Sequence, residues 1–129
     1  MKIAVLEDNP DILEYMKTAL EMAGHDVYTF IDGSLFLQSL FTDPPVRNPF
    51  PYDLVTIDLL LPGSISGLEV ITRIRQDISL DELPIIVITG VGAKATEEVV
   101  STFPTTPILH KPFNLKALLQ MIDSLQASG

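Results

Sequence analysis

Short apolar runs alternate along the chain with segments in which apolar residues recur at helical spacing. The first run, from Lys2 to Leu6, has the length and composition of a buried strand. Asn9 and Pro10 then supply an N-cap and a first-position proline, which is how helices commonly begin. Apolar residues at helical spacing continue as far as Gly24, a residue type that often follows the end of a helix. This opening predicts one strand followed by one helix.

The same alternation continues to the end of the chain. The further predicted elements are a strand at 25–31, a helix opening at 32–34, a strand at 53–58, a helix at 67–76, a strand at 83–90, a helix at 94–102, a strand at 106–110 and a final helix capped by Asn114. Strands that alternate with helices in this way predict an α/β fold, with a parallel sheet covered by helices on both faces.

One connection is long for a compact domain. Residues 41–52 contain four prolines, which exclude regular structure there. A surface insertion is the favoured interpretation, and a binding loop is the alternative.

Composition narrows the class of protein. A length of 129 residues predicts one domain spanning 1–129, with no effector domain in this chain. The formal net charge of -9 disfavours direct binding to nucleic acid. The absence of cysteine excludes disulfides and thiolate metal sites. No signal peptide or membrane-spanning stretch is recognisable, so we expect a soluble, cytoplasmic protein without membrane insertion.

An acidic residue interrupts one of the most apolar runs of the chain. Asp58 lies within the segment LVTIDLLLPG, which begins at Leu54 and reads as a buried strand that breaks at its Pro-Gly pair. A buried carboxylate without a partner costs several kcal/mol. We therefore expect Asp58 to have neighbours that offset its charge.

Such neighbours are predicted from the ends of the other strands. The first strand ends in Glu7 and Asp8, the fourth in Thr89, and the fifth is followed by Lys111. Because the carboxyl ends of parallel strands meet at one edge, these side chains should converge on Asp58. Three neighbouring carboxylates repel one another, and Mg²⁺ suits such a site. The set fits a small, multiply charged anion bound beside Asp58.

At this point the sequence resembles the receiver domain of two-component response regulators, over essentially the whole chain. The resemblance rests on the motifs LEDN from Leu6, DLLLP from Asp58, TG at Thr89 and KPF at Lys111, in that order. It implies a flavodoxin-like fold, a doubly wound sheet of five parallel strands in the order 2-1-3-4-5 with five helices. It also implies a signalling module rather than an enzyme, which takes a phosphoryl group from a histidine kinase or histidine phosphotransfer protein and acts on a downstream protein target.

The resemblance further implies a role for each site residue. Asp58 would be the nucleophile and would become an aspartyl phosphate. Lys111 would pair with one phosphoryl oxygen and Thr89 would donate to another, so that catalysis consists mainly of positioning and electrostatics. The implied ligands of Mg²⁺ are Asp8 and Asp58 directly, Glu7 through water, and the backbone carbonyl of Leu60.

One departure from the family concerns the residues that change conformation on phosphorylation. Family members usually carry an aromatic residue three positions before the active-site lysine, where this chain has Ile108. The usual coupling between Thr89 and an aromatic ring is therefore in question. We hypothesise that His110, on the same side of the strand as Ile108, takes over part of the readout. The alternative is that His110 is a surface histidine at a strand end.

Other departures are local. The loop at 62–67 is one residue longer than the usual pattern, and residues 93–106 lack the customary Gly-Ala segment, which suggests a specialised partner surface or a weak switch. Leu60 and Val91 lie two positions after Asp58 and Thr89, where the family tunes loss of phosphate. Both are apolar and unable to orient an attacking water, so we predict slow dephosphorylation.

The residues give less support to four alternatives. A receiver-like interaction module that no longer switches is the main alternative, favoured by Ile108. A flavin protein is disfavoured because Glu7 and Asp8 would repel phosphate after the first strand, and an aspartyl-phosphate phosphatase because Asn9 and Pro10 follow Asp8. A dinucleotide fold lacks its glycine motif. Whether the chain stands alone or is the receiver part of a hybrid kinase is left open.

Overall fold

The computed structural model describes residues 1–40, 52–59, 65–77, 83–90, 93–103, 105–111 and 113–128, and the side chains of these residues except 93–96 and 126–128. Strands and helices alternate through these ranges. In chain order they are β1 (Lys2–Leu6), α1 (Pro10–Met22), β2 (Asp26–Phe30), α2 (Gly33–Leu40), β3 (Leu54–Asp58), α3 (Gly67–Gln76), β4 (Ile85–Thr89), α4 (Ala93–Thr102), β5 (Ile108–His110) and α5 (Leu115–Ser128).

The five strands form one parallel sheet in the order β2-β1-β3-β4-β5. Every residue of β3 and β4 is buried, which is why these strands read as nearly unbroken apolar runs rather than as alternating patterns. The predicted α/β class and flavodoxin-like strand order are confirmed. All carboxyl ends lie on one edge of the sheet, which is where such folds place their ligands.

The core consists of two apolar layers, one on each side of the sheet. The α1/α5 face packs α1 and α5 against alternate strand residues, with Ile3, Val5, Met16, Leu20, Leu54, Ile86, Ile88, Leu118 and Ile122 buried. The α2–α4 face packs the other three helices against the intervening strand residues, with Ala4, Leu6, Phe36, Val55, Ile57, Ile71, Val87 and Val99 among those buried. Alternation along β3 therefore places Asp58 on the side of Leu54, the α1/α5 face.

Side-chain caps fix where α1 and α3 begin. The Asn9 side-chain oxygen accepts from the backbone N–H groups of Asp11 at 2.9 Å and Ile12 at 3.2 Å. Gly24 follows α1 with φ of +94°, a conformation that glycine adopts without strain. Ser66 caps α3 by accepting from the Glu69 N–H at 3.2 Å. Both capped helices begin next to the carboxyl edge of the sheet.

The fifth strand begins two residues later than predicted. The Thr106 N–H donates to the Phe103 carbonyl at 3.0 Å and closes a turn, so that β5 begins only at Ile108. The other predicted strands and helices agree with the structure to within a residue or two at their ends.

Two predicted loops lie partly outside the described residues. The proline-rich connection at 41–52 lies outside the described residues except for Tyr52, which is buried and whose ring lies 5.7 Å from that of Phe36. Residues 62–64 of the loop at 62–67 are also outside them.

Among the residues that the structure describes, no helix is both long enough and apolar enough to cross a bilayer.

Candidate functional site

The carboxyl ends of three strands bring an ammonium group between two carboxylates. Glu7 follows β1, Asp58 is the last residue of β3, and Lys111 follows β5. The Lys111 Nζ atom lies 2.7 Å from Asp58 Oδ2 and 2.9 Å from Glu7 Oε2. These distances are those of charge-assisted hydrogen bonds, so one lysine partners both acids.

Both carboxylates of these ion pairs are buried. Asp58 is 4% exposed and Glu7 1%, whereas the Lys111 side chain keeps 21% of its surface in solvent. Two carboxylates held out of water with a single cation leave a net negative charge. Asp8, which is exposed, adds a third carboxylate at the rim.

The pKa shifts follow from this arrangement. Burial raises the pKa of Glu7 above its usual value, and the nearby charge of Asp58 acts in the same direction, while hydrogen bonds from Lys111 and the Asn9 N–H offset part of the effect. Burial alone would lower the pKa of Lys111, but its bonds to Asp58 and Glu7 outweigh this and raise it. Lys111 therefore stays charged at neutral pH.

The start of α1 holds Glu7 from the other side. Its Oε1 atom accepts from the Asn9 N–H at 3.1 Å, while Oε2 accepts from Lys111. Asn9 thus caps α1 with its side chain and orients Glu7 with its backbone. Both oxygens of Glu7 are engaged, which fixes the carboxylate in one orientation.

Three carboxylates meet the geometric requirement for a metal site. One oxygen each from Glu7, Asp8 and Asp58 lie within 4.8 Å of one another. Hard oxygen donors at this spacing fit Mg²⁺, and one exposed member leaves room for water ligands. Leu60, whose carbonyl was expected as a further ligand, lies outside the described residues, as does Val91.

Thr89 is linked to this site through the backbone. It is fully buried at the end of β4, and its carbonyl accepts from the Lys111 N–H at 2.8 Å. Ile108 is half-buried against the α2–α4 face, and His110 is exposed. His110 is the register partner of Thr89 across the β4–β5 pair.

Sequence reasoning missed Gly67, the first residue of α3. A Cβ atom there would clash with the Asp58 carbonyl oxygen and lie 2.7 Å from the Leu59 Cα. Only glycine lets α3 begin this close to the end of β3. The available signal was its position directly after Ser66, a strong N-cap residue, but the close contact itself cannot be read from sequence.

A mostly apolar cavity of about 460 Å³ opens beside Lys111, between α1 and the loop after β5. Ile12, Tyr15, Gly90, Lys111 and Phe113 line it, and the rings of Tyr15 and Phe113 are 6.5 Å apart. Tyr15 is half exposed. Sequence analysis assigned neither aromatic a role, because α1 and the loop after β5 are distant in sequence.

Comparison with known proteins gives a consistent family. A family model described as the response regulator receiver domain matches residues 3–123. The nisin biosynthesis regulatory protein NisR of Lactococcus lactis is 34% identical over 126 residues, which cover 95% of this chain and 49% of NisR. The chain spans about half the length of the curated relatives it matches.

Solved structures agree in fold. The receiver domain of sensor histidine kinase PA1611 from Pseudomonas aeruginosa, which has a magnesium ion coordinated in its active-site cleft, aligns with a TM-score of 0.78 and 25% identity, covering 98% of this chain and 94% of that one. The BeF3-activated DrrB receiver domain aligns with a TM-score of 0.77 and 25% identity, covering 98% and 97%.

Proposed function

Since the chain belongs to the response regulator receiver domain family of two-component systems, we propose that it accepts a phosphoryl group on Asp58 from a phosphohistidine. The observation that carries this proposal is the buried Asp58 carboxylate, held at 2.7 Å by the Lys111 ammonium and within metal-binding reach of Glu7 and Asp8. We also propose that residues 1–129 form a single receiver domain.

The chemistry requires a nucleophilic oxygen whose position is fixed. An Asp58 oxygen attacks the phosphorus of the donor, the phosphorus–nitrogen bond breaks, and the donor imidazole leaves with the electron pair and takes up a proton. The product is a mixed anhydride of carboxylate and phosphate. Lys111 holds Asp58 in place before transfer and pairs with a phosphoryl oxygen after it, and the Thr89 hydroxyl donates to another.

Three carboxylates would repel an incoming phosphoryl group if nothing offset their charge. Glu7, Asp8 and Asp58 supply only oxygen donors, so Mg²⁺ is the proposed cofactor, with Asp8 and Asp58 as direct ligands and Glu7 acting through water. The Leu60 carbonyl remains a proposed ligand. When bound, Mg²⁺ supplies positive charge that stabilises the transferring group. Lys111 supplies the remaining positive charge.

The cavity beside Lys111 is a suitable place for the donor protein to dock. Tyr15, Ile12 and Phe113 present an apolar surface next to the reactive carboxylate. It continues toward an apolar groove of about 610 Å³ between α1 and α5, where Met22 is 84% exposed. We propose that a histidine kinase or histidine phosphotransfer protein covers this surface, and that a downstream protein is the target.

Phosphorylation by acetyl phosphate tests the chemistry without a partner. We expect mass spectrometry to detect the gain of one phosphoryl group in the presence of Mg²⁺, and no gain after chelation. Asp58→Asn should abolish the gain, whereas Asp53→Asn, which changes an exposed aspartate at the opposite edge of the sheet, should not. Retention of the mass gain in Asp58→Asn would remove Asp58 from this role.

Docking can be tested separately from chemistry. Tyr15→Asp places a charge on the proposed docking surface without replacing any of the three carboxylates or Lys111. We expect it to slow transfer from a phosphorylated histidine phosphotransfer protein while leaving labelling by acetyl phosphate unchanged. Equal slowing with both donors would contradict a docking role for Tyr15.

A receiver-like module that binds partners without switching is the second candidate. Ile108, apolar and half-buried, favours it because the residue offers no polar group that responds to phosphate. The two candidates differ in whether beryllofluoride changes the surface of α4 and β5. A protein that takes up phosphate with no such change would fit the second.

A further inference from the structure

The β4–β5 pair places one polar side chain beside Thr89. Thr89 and His110 are direct register partners, and neighbouring strands lie about 4.8 Å apart. Ile108 pairs with Val87 on the same face, because Val87 belongs to the α2–α4 core layer and Ile108 packs against that layer. Alternation then places Thr89 and His110 together on that face.

The other residues of β5 are unsuited to respond to Thr89. Leu109 packs on the α1/α5 face. Ile108 is apolar and pairs with Val87, two residues before Thr89. His110 is exposed and carries two ring nitrogens that can donate or accept hydrogen bonds.

Lys111 is held both by its backbone and by its side chain. The Lys111 N–H donates to the Thr89 carbonyl, and Nζ binds Asp58 and Glu7.

We propose that His110 is a positioning residue that couples the Thr89 side chain to the surface formed by β5 and α4, so that a phosphoryl group on Asp58 changes the orientation of the imidazole. This inference rests on the proposed function, because it requires the Thr89 hydroxyl to turn toward the phosphoryl group. The imidazole beside Thr89 then loses its previous neighbour and repacks.

The two histidines of the chain make a direct test possible. His25 precedes β2 at the opposite edge of the sheet, where its Nδ1 lies 3.1 Å from the Met1 amino group, so it serves as an internal reference. Carbon–proton NMR spectra of both rings are recorded before and after adding Mg²⁺ and beryllofluoride, and fluorine NMR reports whether the fluoride is bound. A His25→Gln variant assigns the signals.

We expect the His110 ring signals to move and those of His25 to stay in place. In Thr89→Val, at beryllofluoride concentrations that give the bound fluorine signal, the movement of His110 should be lost. Movement that persists in Thr89→Val would mean that the ring senses charge directly, and would overturn the coupling.

Two further outcomes separate this proposal from the proposed function. Bound fluorine signal without any change at His110 overturns the role of His110 and leaves the phosphoacceptor function intact. Absence of both bound fluoride and acetyl-phosphate labelling overturns the function and this inference together. In His110→Ala, labelling of Asp58 should proceed at the normal rate while the amide shifts of α4 respond less, and His110→Gln should restore part of the response.

Discussion

Lys111 holds together two acids that would otherwise repel each other in a buried site. Its Nζ atom contacts both Asp58 and Glu7, and its raised pKa keeps the charge in place. Removing one partner of a hydrogen bond costs more than the bond contributes, because the group left behind is already desolvated.

Lys111→Met should therefore destabilise the protein by about 1–3 kcal/mol in the absence of Mg²⁺. The partial exposure of Lys111 argues for the lower half of that range. Urea unfolding at neutral pH measures the change. Lys116→Met, which removes an exposed lysine of α5, should alter stability by no more than about 0.5 kcal/mol. Equal midpoints for the two variants would contradict the bridging role.

Thr56, unlike Lys111, is a buried polar residue whose side chain makes no hydrogen bond within the described residues. Its hydroxyl has no hydrogen-bond partner among the described residues, although the side chain is 1% exposed. Thr56→Val replaces the hydroxyl with a methyl group of similar size, so we expect stability to be unchanged or to rise by up to about 1 kcal/mol. A loss of more than about 1 kcal/mol in urea unfolding would show that the hydroxyl is satisfied.

The convergence of Glu7, Asp8, Asp58 and Lys111 could be predicted from sequence, because each follows a predicted strand and parallel strands end at one edge. The contact of Lys111 with both acids could not be predicted, because it depends on the exact positions of the side-chain atoms. The lack of a hydrogen-bond partner for the Thr56 hydroxyl could not be predicted either, because threonine is an ordinary strand residue.

At the scale of elements, β3 and α3 approach each other closely where Gly67 begins α3. Gly67 has no room for a Cβ against the Asp58 carbonyl and Leu59 Cα. Alanine in a helix is worth about 1 kcal/mol more than glycine, but overpacking costs about 1–3 kcal/mol. Steric conflict is therefore expected to win.

Gly67→Ala should lower the unfolding free energy by about 1–2 kcal/mol and reduce labelling of Asp58 by acetyl phosphate, since α3 must move away from β3. Gly90→Ala is the matched control, because a Cβ there meets Lys111 carbons at an ordinary distance of 3.5 Å. If both variants unfold at the same urea concentration, the close approach at Gly67 has no energetic weight.

The elements themselves were largely predictable because hydrophobic periodicity and helix caps agree along this chain. Asn9, Pro10 and Gly24 marked α1 correctly at both ends. The fifth strand was extended too far, since Thr106 is a good strand former whose N–H is used by a turn. A local turn overrode strand propensity there.

For the molecule as a whole, the cluster of Glu7, Asp8 and Asp58 is part of a net charge of -9. A ligand that binds only the folded state stabilises it, by about 2.7 kcal/mol at a concentration 100 times its Kd. Mg²⁺ should therefore raise the melting temperature. In Asp8→Asn we expect that rise to shrink, and the metal-free protein to be no less stable, because one repelling charge is gone.

Asp11→Asn is the control for this experiment. Asp11 is an exposed acid in the first turn of α1 but does not belong to the three-carboxylate cluster. Its melting temperature should respond to Mg²⁺ as the unaltered protein does. A full response in Asp8→Asn would exclude Asp8 as a ligand.

The position of β5 has a consequence for partial unfolding. Within the described residues this three-residue strand lies at the edge of the sheet and pairs only with β4, whereas β1, which Glu7 follows, and β3, which ends in Asp58, lie inside it. Edge segments with few contacts open at lower free energy than the rest of a fold. Hydrogen exchange of the Lys111 amide should thus become fast in mild urea while β1 and β3 remain protected. The proposed phosphorylation of Asp58 would disappear with it, because Lys111 would leave the site while the rest of the fold persists.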